Sequence, residues 1–335
     1  MVATCQAGYE AALAGELAVA GWQPSARGCG WVQCAAGPGG EPTELVFAPL
    51  ALLAPRELQA GAVNALAQQA ADFFAESLRE EHIEAAWPNL WIGPTEIAGL
   101  TRRISATRRA FDDLLRRKLA RVARLGEPGI PSGIGPVRGL FVFFTDFDHA
   151  WASRTAVFGG QRRMADDPAA PSRSYLKIEE AYGVLGAEPR PDEMVIDLGA
   201  APGGWSFSAA RRGAQVLAVD NGLLKGGALG HPRIEHRRED AFGFRPAPGG
   251  SFDWLFCDLV EEPHHVLRNL VAPWLERGWC HRFVINLKFG RTDPVALLQE
   301  LRAEDSPFAR YATDFRIRHL FHDREEFTVA GNVKR

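Results

Sequence analysis

The pattern of apolar and polar residues changes near residue 165. Beyond it, short apolar runs alternate with stretches of helical spacing. The apolar runs cover residues 194–198, 215–219, 254–257 and 283–287. One helical stretch begins at residue 205, and another spans residues 266–276. Alternation of this kind predicts parallel βαβ units in a doubly wound sheet. We therefore predict an α/β domain over residues 166–335.

The first half of the chain has a less regular pattern. Residues 62–74 place apolar side chains near a 3.6-residue period, which predicts a helix. We predict a second, basic helix from about Arg109 to Arg124 and a short strand over residues 139–144. Residues 126–136 are rich in glycine and proline, so we expect an irregular loop there. Turn residues at 36–40 favour a separate small α/β module before residue 56.

Composition and length are typical of a soluble protein with two or three domains. The 335 residues are 46% hydrophobic and 24% charged, and no apolar run approaches the roughly 18–20 residues of a membrane span. The five cysteines form no CxxC pair, which argues against a disulfide framework. We expect a cytoplasmic protein that neither enters a membrane nor is secreted.

Positive charge is concentrated between Thr101 and Arg124, although the formal net charge of the chain is -3. Nine cations stand against Asp112 and Asp113 in this segment, giving 9 - 2 = +7. The cations are Arg102, Arg103, Arg108, Arg109, Arg116, Arg117, Lys118, Arg121 and Arg124. The segment is either a solvated helix face or a surface for an RNA backbone, and the predominance of arginine favours RNA because the guanidinium matches phosphate oxygens.

A glycine-rich turn follows the first predicted strand of the second half, at residues 197–205 (DLGAAPGGW). Gly199, Gly203 and Gly204 let the backbone approach a ligand closely, and the next strand ends at Asp220, where a carboxylate can bind ribose hydroxyls. The spacing differs from the GxGxxG of dinucleotide sites, which favours a nucleoside cofactor without phosphates. A plain strand-to-helix turn is the alternative, and further aspartates at strand ends, Asp240 and Asp258, count against it.

The DLGAAPGGW turn resembles the cofactor loop of FtsJ-type ribose 2'-O-methyltransferases. Within that group the chain is most similar to bacterial enzymes that act on large-subunit ribosomal RNA. The residues that carry this closer match are 171–181, 219–222, 238–240, 257–261, 286–288 and 322–326. The resemblance implies S-adenosyl-L-methionine as cofactor and a Rossmann-like class I methyltransferase domain over residues 166–335. It also implies a ferredoxin-like module over residues 1–55 and a THUMP-like RNA-binding domain over residues 56–165.

The resemblance implies a catalytic tetrad of Lys177, Asp258, Lys288 and Glu326. Lys288 would be the general base, and we expect burial and a neighbouring cation to lower its pKa from about 10.4 toward the working range. Lys177 would orient the ribose, and the two carboxylates would fix the ammonium groups. The resemblance also assigns cofactor contacts, with Asp240 at the adenine amino group. These residues are Ser174, Gly199, Ala201, Pro202, Gly203, Gly204, Trp205, Asp220, Asp240 and Asp258.

The implied partner is large-subunit ribosomal RNA, with a cytidine in the peptidyl-transferase region of 23S rRNA as target. An RNA-binding assembly factor that keeps the fold without catalysis is the alternative. Methylation of a base amino group needs a D/N-P-P-Y loop, and residues 257–260 contain no proline. Carbon-5 methylation needs a cysteine nucleophile, but we expect Cys257 and Cys280 to be structural. The histidines at 264, 265 and 322 lack metal-ligand spacing, so we expect no metal.

Overall fold

The computed structural model describes residues 1–40, 42, 44–79 and 81–334. It contains two compact units, Met1–Gly160 and Gln161–Arg335. The boundary precedes the predicted one at 165/166 because residues just after Gly160 hydrogen-bond within the second unit. The further division of the first unit at residue 55 stays a prediction.

The first unit is built on one nine-stranded sheet. In chain order its elements are β1 (Val2–Thr4), α1 (Glu10–Val19), β2 (Gln23–Gly28), β3 (Trp31–Ala36), β4 (Leu50–Leu53), β5 (Arg56–Gln59), α2 (Val63–Ser77), β6 (Trp87–Ile92), α3 (Leu100–Lys118), α4 (Ala120–Arg124), β7 (Gly126–Pro128), β8 (Gly135–Phe144) and β9 (His149–Phe158). The strand order is β2-β3-β1-β4-β9-β8-β6-β7, and β5 also pairs with β9. Helices α2 and α3 pack over it, with the Phe74 and Trp87 rings 4.7 Å apart.

Two predictions for this unit are wrong in detail. The basic helix begins at Leu100 instead of Arg109, because Leu100, Ile104, Phe111 and Leu115 form one buried stripe along α3. It ends at Lys118, and α4 forms a separate short helix.

The expected loop over residues 126–136 also contains regular structure. Strand β7 occupies Gly126–Pro128, and β8 begins at Gly135. Gly126 pairs with Trp87, where an added Cβ would lie 2.9 Å from the indole, so glycine allows the close approach. Because β7 lies at the sheet edge, Pro128 is tolerated there without a backbone N–H.

The second unit has the predicted doubly wound sheet. Its elements are α5 (Tyr175–Leu185), β10 (Met194–Leu198), α6 (Gly204–Arg211), β11 (Gln215–Val219), a 3₁₀ turn (Gly226–Ala228), β12 (Ile234–Arg237), β13 (Phe252–Cys257), α7 (Pro263–Val266), a π-helical stretch (Leu267–Val271), α8 (Ala272–Glu276), β14 (Cys280–Lys288), α9 (Pro294–Arg302), α10 (Pro307–Tyr311), β15 (Ala312–Arg318) and β16 (Glu326–Val333). The order is β12-β11-β10-β13-β14-β16-β15. In this sheet β16 pairs antiparallel with both β14 and β15, and the other described strand pairs are parallel.

This strand order places a crevice at the carboxyl ends of β10 and β13. The chain leaves β10 toward β11 on one side and returns to β13 on the other side, which is the switch point where open α/β sheets bind ligands. The glycine-rich turn follows β10, and Asp258 follows β13. Among the described residues, we find no helix with the length and apolar character needed to cross a membrane.

Candidate active site

Strand register brings the four tetrad residues together from distant parts of the chain. Asp258 directly follows β13, Lys288 ends β14 and Glu326 begins β16. Lys288 and Glu326 are directly paired across the antiparallel β14–β16 ladder, so their side chains lie on the same face. Lys177 reaches the same point from the first turn of α5.

The tetrad forms a closed ring of alternating charge. Lys288 Nζ lies 2.6 Å from Asp258 Oδ1 and 2.5 Å from Glu326 Oε2. Lys177 Nζ lies 2.7 Å from Glu326 Oε1 and 3.5 Å from Asp258 Oδ2. The side chains are 4% to 23% exposed, and the most accessible one is Lys288. Lys288 is therefore the tetrad residue that a reactant in the crevice can reach most readily.

The pKa of Lys288 is raised, not lowered as the sequence led us to expect. Burial by itself would lower the pKa, but the charges and hydrogen bonds of Asp258 and Glu326 outweigh it. Burial likewise opposes ionisation of Glu326, yet Lys177 and Lys288 keep the pKa of this carboxyl below its ordinary value. The resting site consequently holds Lys288 as an ammonium ion.

The glycine-rich turn after β10 is shaped by glycines that have close neighbours. Gly199 has φ 83° and Gly203 has φ 105°, backbone angles that favour glycine. A Cβ on Gly203 would lie 2.6 Å from the Ala228 Cβ, and a Cβ on Gly204 would lie 2.9 Å from Ser174 Oγ. Gly203 also precedes the first turn of α6, where backbone N–H groups are not used within the helix.

Asp220 joins two loops at the ends of adjacent strands. Its Oδ2 accepts a hydrogen bond from Ala201 N at 2.9 Å, and its Oδ1 accepts one from Gly222 N at 2.6 Å. Asp240, at the next strand end, is exposed and accepts from Phe242 N at 3.1 Å. Asp220 thus connects the end of β11 to the loop that contains Ala201, and Asp240 follows the end of β12 at the same edge of the sheet.

Comparison with known proteins shows the family to which the chain belongs. Residues 170–272 match the model of the FtsJ-like methyltransferase family. A protein of Halorhodospira halophila named "Ribosomal RNA large subunit methyltransferase M" is 35% identical, with 97% of this chain and 94% of the relative covered. Proteins with the same name from Stenotrophomonas maltophilia (32% identity, 100% and 97% covered) and Laribacter hongkongensis (38%, 68% and 66%) also match. The chain belongs to the ribosomal RNA large subunit methyltransferase M family.

As a member of this methyltransferase family, the chain uses S-adenosylmethionine, and the residues at the crevice fit that cofactor. Close-packed glycines and the carboxylates at successive strand ends suit a nucleoside. Buried Asn286 provides a further indication, because its Oδ1 has no hydrogen-bond partner among the described residues. A bound group with a polar hydrogen would satisfy this acceptor.

Asn286 is also a site residue that we did not predict. Its Nδ2 donates to Asp258 Oδ1 at 3.1 Å and so helps to hold the carboxylate that contacts Lys288. Its position two residues before Lys288 could have identified it, because residues i and i+2 of a strand share a face.

The structure also shows the surroundings of Trp205 and of the two cysteines of the second unit. The indole of Trp205 is buried and donates to Ser174 O at 3.0 Å, which assigns it to packing, so a cofactor contact would fall to its backbone. Burial raises the pKa of Cys257 to about 12 and that of Cys280 as well, as expected of structural thiols. Across the described part of the chain, no three His, Cys, Asp or Glu residues are grouped as metal ligands.

Proposed function

We propose that this chain methylates a ribose 2'-hydroxyl of large-subunit ribosomal RNA, with Lys288 as general base. The observation that carries the proposal is the position of Lys288 Nζ between Asp258 Oδ1 and Glu326 Oε2, beside the glycine-rich loop. The names of the relatives supply the class of RNA. Resemblance to the ribose methyltransferases adds a cytidine in the peptidyl-transferase region of 23S rRNA as the target to be tested, and the cytoplasm as the compartment.

The cofactor supplies an electrophilic methyl group on a positively charged sulfur. In our proposal, the loop from Gly199 to Gly204, Asp220 and Asp240 hold it at the crevice. Lys288 Nζ would accept the proton of the ribose hydroxyl whose oxygen receives the methyl group. Lys177 remains paired with Glu326 and stabilises negative charge on the ribose oxygen.

Lys288 must lose a proton before it can act as a base. Two ammonium ions and two carboxylates give the tetrad a formal charge of zero, so a cation bound beside it makes the local charge positive. Positive charge nearby favours the neutral amine. The carboxylates that raise the pKa of Lys288 in the free protein would thus position Nζ, while the bound reactants shift its protonation.

The cations of the first unit are not equivalent as RNA-binding residues. Several are already engaged: Arg108, Arg116 and Arg121, here called the paired set, contact Asp112, Asp113 and Glu84. Exposed Arg102, Arg109 and Arg117, here called the unpaired stripe, have no such partner among the described residues. Their spacing of seven and eight residues puts them along one face of α3 over about 22 Å.

We propose that the unpaired stripe contacts RNA phosphates. Each free guanidinium can bind phosphate oxygens without first breaking an internal ion pair. Arg103 is a poorer candidate, because it donates to the carbonyl oxygens of Phe147 and Gly61 at 2.9 and 2.7 Å.

A methyl-transfer assay tests the catalytic part. Unmodified large-subunit RNA is incubated with labelled S-adenosylmethionine, and 2'-O-methyl positions are mapped on the product. Lys288→Met should lower kcat by about 100-fold or more while cofactor binding is kept, because only the base is removed. The matched control is Lys334→Met, which removes an exposed lysine that donates to Ala309 O and Arg310 O.

The outcomes separate the alternatives. Full activity of Lys288→Met would show that another group takes the proton. Label on a base would contradict ribose methylation. RNA binding by the wild-type protein without transfer to any precursor would instead favour the assembly factor without catalysis.

A further inference from the structure

The first segment of the second unit is fixed by hydrogen bonds. We call residues 162–164 the tether. Arg162 N donates to Glu180 Oε1 at 3.0 Å, and Met164 N donates to His322 Nε2 at 2.9 Å. The tether is thereby attached both to α5, which contains Glu180, and to the segment that precedes β16.

Glu180 is buried and binds three backbone N–H groups. Besides Arg162 N, it accepts from Phe321 N at 3.0 Å and from His322 N at 3.3 Å, and its exposure is 0%. Burial raises the pKa of Glu180 to about 7 in spite of these donors and the charge of Arg162. A carboxylate in such a position costs stability unless its hydrogen bonds are satisfied.

Glu180 is connected through the chain to two residues of the tetrad, Lys177 and Glu326. Lys177 lies three residues before Glu180, one turn earlier on α5. Residues 319–325 lead from the Glu180 contacts to Glu326, and this segment is held by the 2.8 Å contact of His319 Nε2 with Arg324 O. Arg324 N then donates to Glu326 Oε1 at 3.1 Å. A displacement of residues 321–322 would therefore move the tetrad carboxylate.

We propose that Glu180 is a positioning residue that couples the tether to the segment holding Glu326. Glu180 would thus anchor both the tetrad and the residues that directly follow the first unit. This inference rests on the proposed role of the tetrad in ribose methylation. Glu180 does not contact the reactants in this proposal. It acts through Glu326 and Lys177.

The coupling predicts an effect on turnover that binding does not share. Glu180→Gln keeps the size of the side chain but presents an amide N–H₂ to backbone donors, so the three contacts cannot all be kept. We expect kcat for methyl transfer to fall by about tenfold or more, with the Kd for RNA and for S-adenosylmethionine changed less than about twofold. Hydrogen exchange of Arg162, Phe321 and His322 should accelerate together.

The matched control is Gly183→Ala, one turn after Glu180 on the same helix. The added Cβ would lie 3.6 Å from the Arg162 guanidinium, an ordinary contact, so kcat and the exchange rates should stay at wild-type values. Wild-type transfer is measured in the same assay. Its absence would count against the proposed function, whereas unchanged kcat in Glu180→Gln, or faster exchange on only one side of the anchor, would overturn the coupling alone.

A second measurement applies if Glu180→Gln does not fold. Exchange at the three amides is then followed in the wild-type protein as pH falls through about 7, where Glu180 takes up a proton. The charged or titratable groups that face it are Arg162 on the tether and His322 and Asp323 beyond β15. Joint loss of protection supports the shared anchor, and independent loss at Arg162 contradicts it.

Discussion

Glu326→Gln tests whether the two carboxylates set the protonation of Lys288. The side chain of Glu326 is only 4% exposed and lies 2.5 Å from Lys288 Nζ and 2.7 Å from Lys177 Nζ. Glutamine keeps the shape and one acceptor oxygen but removes the negative charge. Because that charge raises the pKa of Lys288, the substitution should lower this pKa.

The size of the shift follows from the contact that is weakened. A hydrogen bond to a charged group contributes about 1.5–3 kcal/mol, which corresponds to about 1–2 pKa units. If neutral Lys288 is the base, kcat rises with pH until Lys288 is deprotonated, so the rising limb should move down by about 1–2 pH units. The plateau should also fall, because Lys177 loses its closest partner.

Single-turnover methyl transfer measures this limb directly. Saturating RNA and cofactor are used from about pH 6 to about pH 10. Glu325→Gln is the control, since it removes the same charge from an exposed neighbouring residue. A limb that stays in place in Glu326→Gln, or that moves to higher pH, would refute the assignment of Lys288 as the titrating base.

Three further changes test the proposed RNA-binding surface, the proposed cofactor loop and a buried histidine. Changing the three arginines of the unpaired stripe to glutamine should reduce the slope of log RNA affinity against log salt concentration by about 2–3 in filter binding. If the same change in the paired set reduced the slope equally, a specific RNA-binding surface would be contradicted. Gly203→Ala should lower the free energy of unfolding by about 1–3 kcal/mol in urea and weaken cofactor binding, since its Cβ would lie 2.6 Å from Ala228 Cβ. Gly230, the control, also has a positive φ of 68°, but an added Cβ would have no neighbour within 4 Å, so Gly230→Ala should leave cofactor binding intact. If Gly230→Ala weakened cofactor binding as much as Gly203→Ala, the steric argument would be refuted. Burial lowers the pKa of His319 to about 4. The buried neutral ring therefore contributes fully to the free energy of unfolding above the pKa of about 6.5 that histidine has in the unfolded chain, and this contribution is lost as pH falls toward 4. Between neutral pH and pH ~5, the free energy of unfolding of the wild type, measured in urea titrations, should therefore fall by ~2 kcal/mol more than that of His319→Gln. An equal decrease in both proteins would contradict burial of the neutral ring.

The second unit was more predictable from sequence than the first. Its parallel strands are short apolar runs separated by helices, and a buried parallel strand has this appearance because both faces are covered. Strand β7 gave no comparable indication. Gly126 and Pro128 favour a turn by local preference, and only pairing with Trp87 makes the segment a strand.

The sequence was sufficient to name the four tetrad residues, but it was not sufficient to predict the direction in which the pKa of Lys288 is shifted. Resemblance supplied Lys177, Asp258, Lys288 and Glu326, whereas the direction of the Lys288 pKa depends on which charges lie next to Nζ. That is decided by the pairing of Lys288 with Glu326 across β14 and β16. Glu180 had no sequence indication, because its partners are backbone groups far away in the chain.

The position of β16 sets an order of events for a chain that is being synthesised. β16 lies between β14 and β15, although β15 precedes it in the chain. Before residues 326–333 emerge, β15 has no strand through which to join the sheet, and Lys177 and Lys288 lack one of their two carboxylates. A nascent chain can therefore form the glycine-rich loop early, yet it acquires a complete set of reacting groups only when its last described strand is inserted.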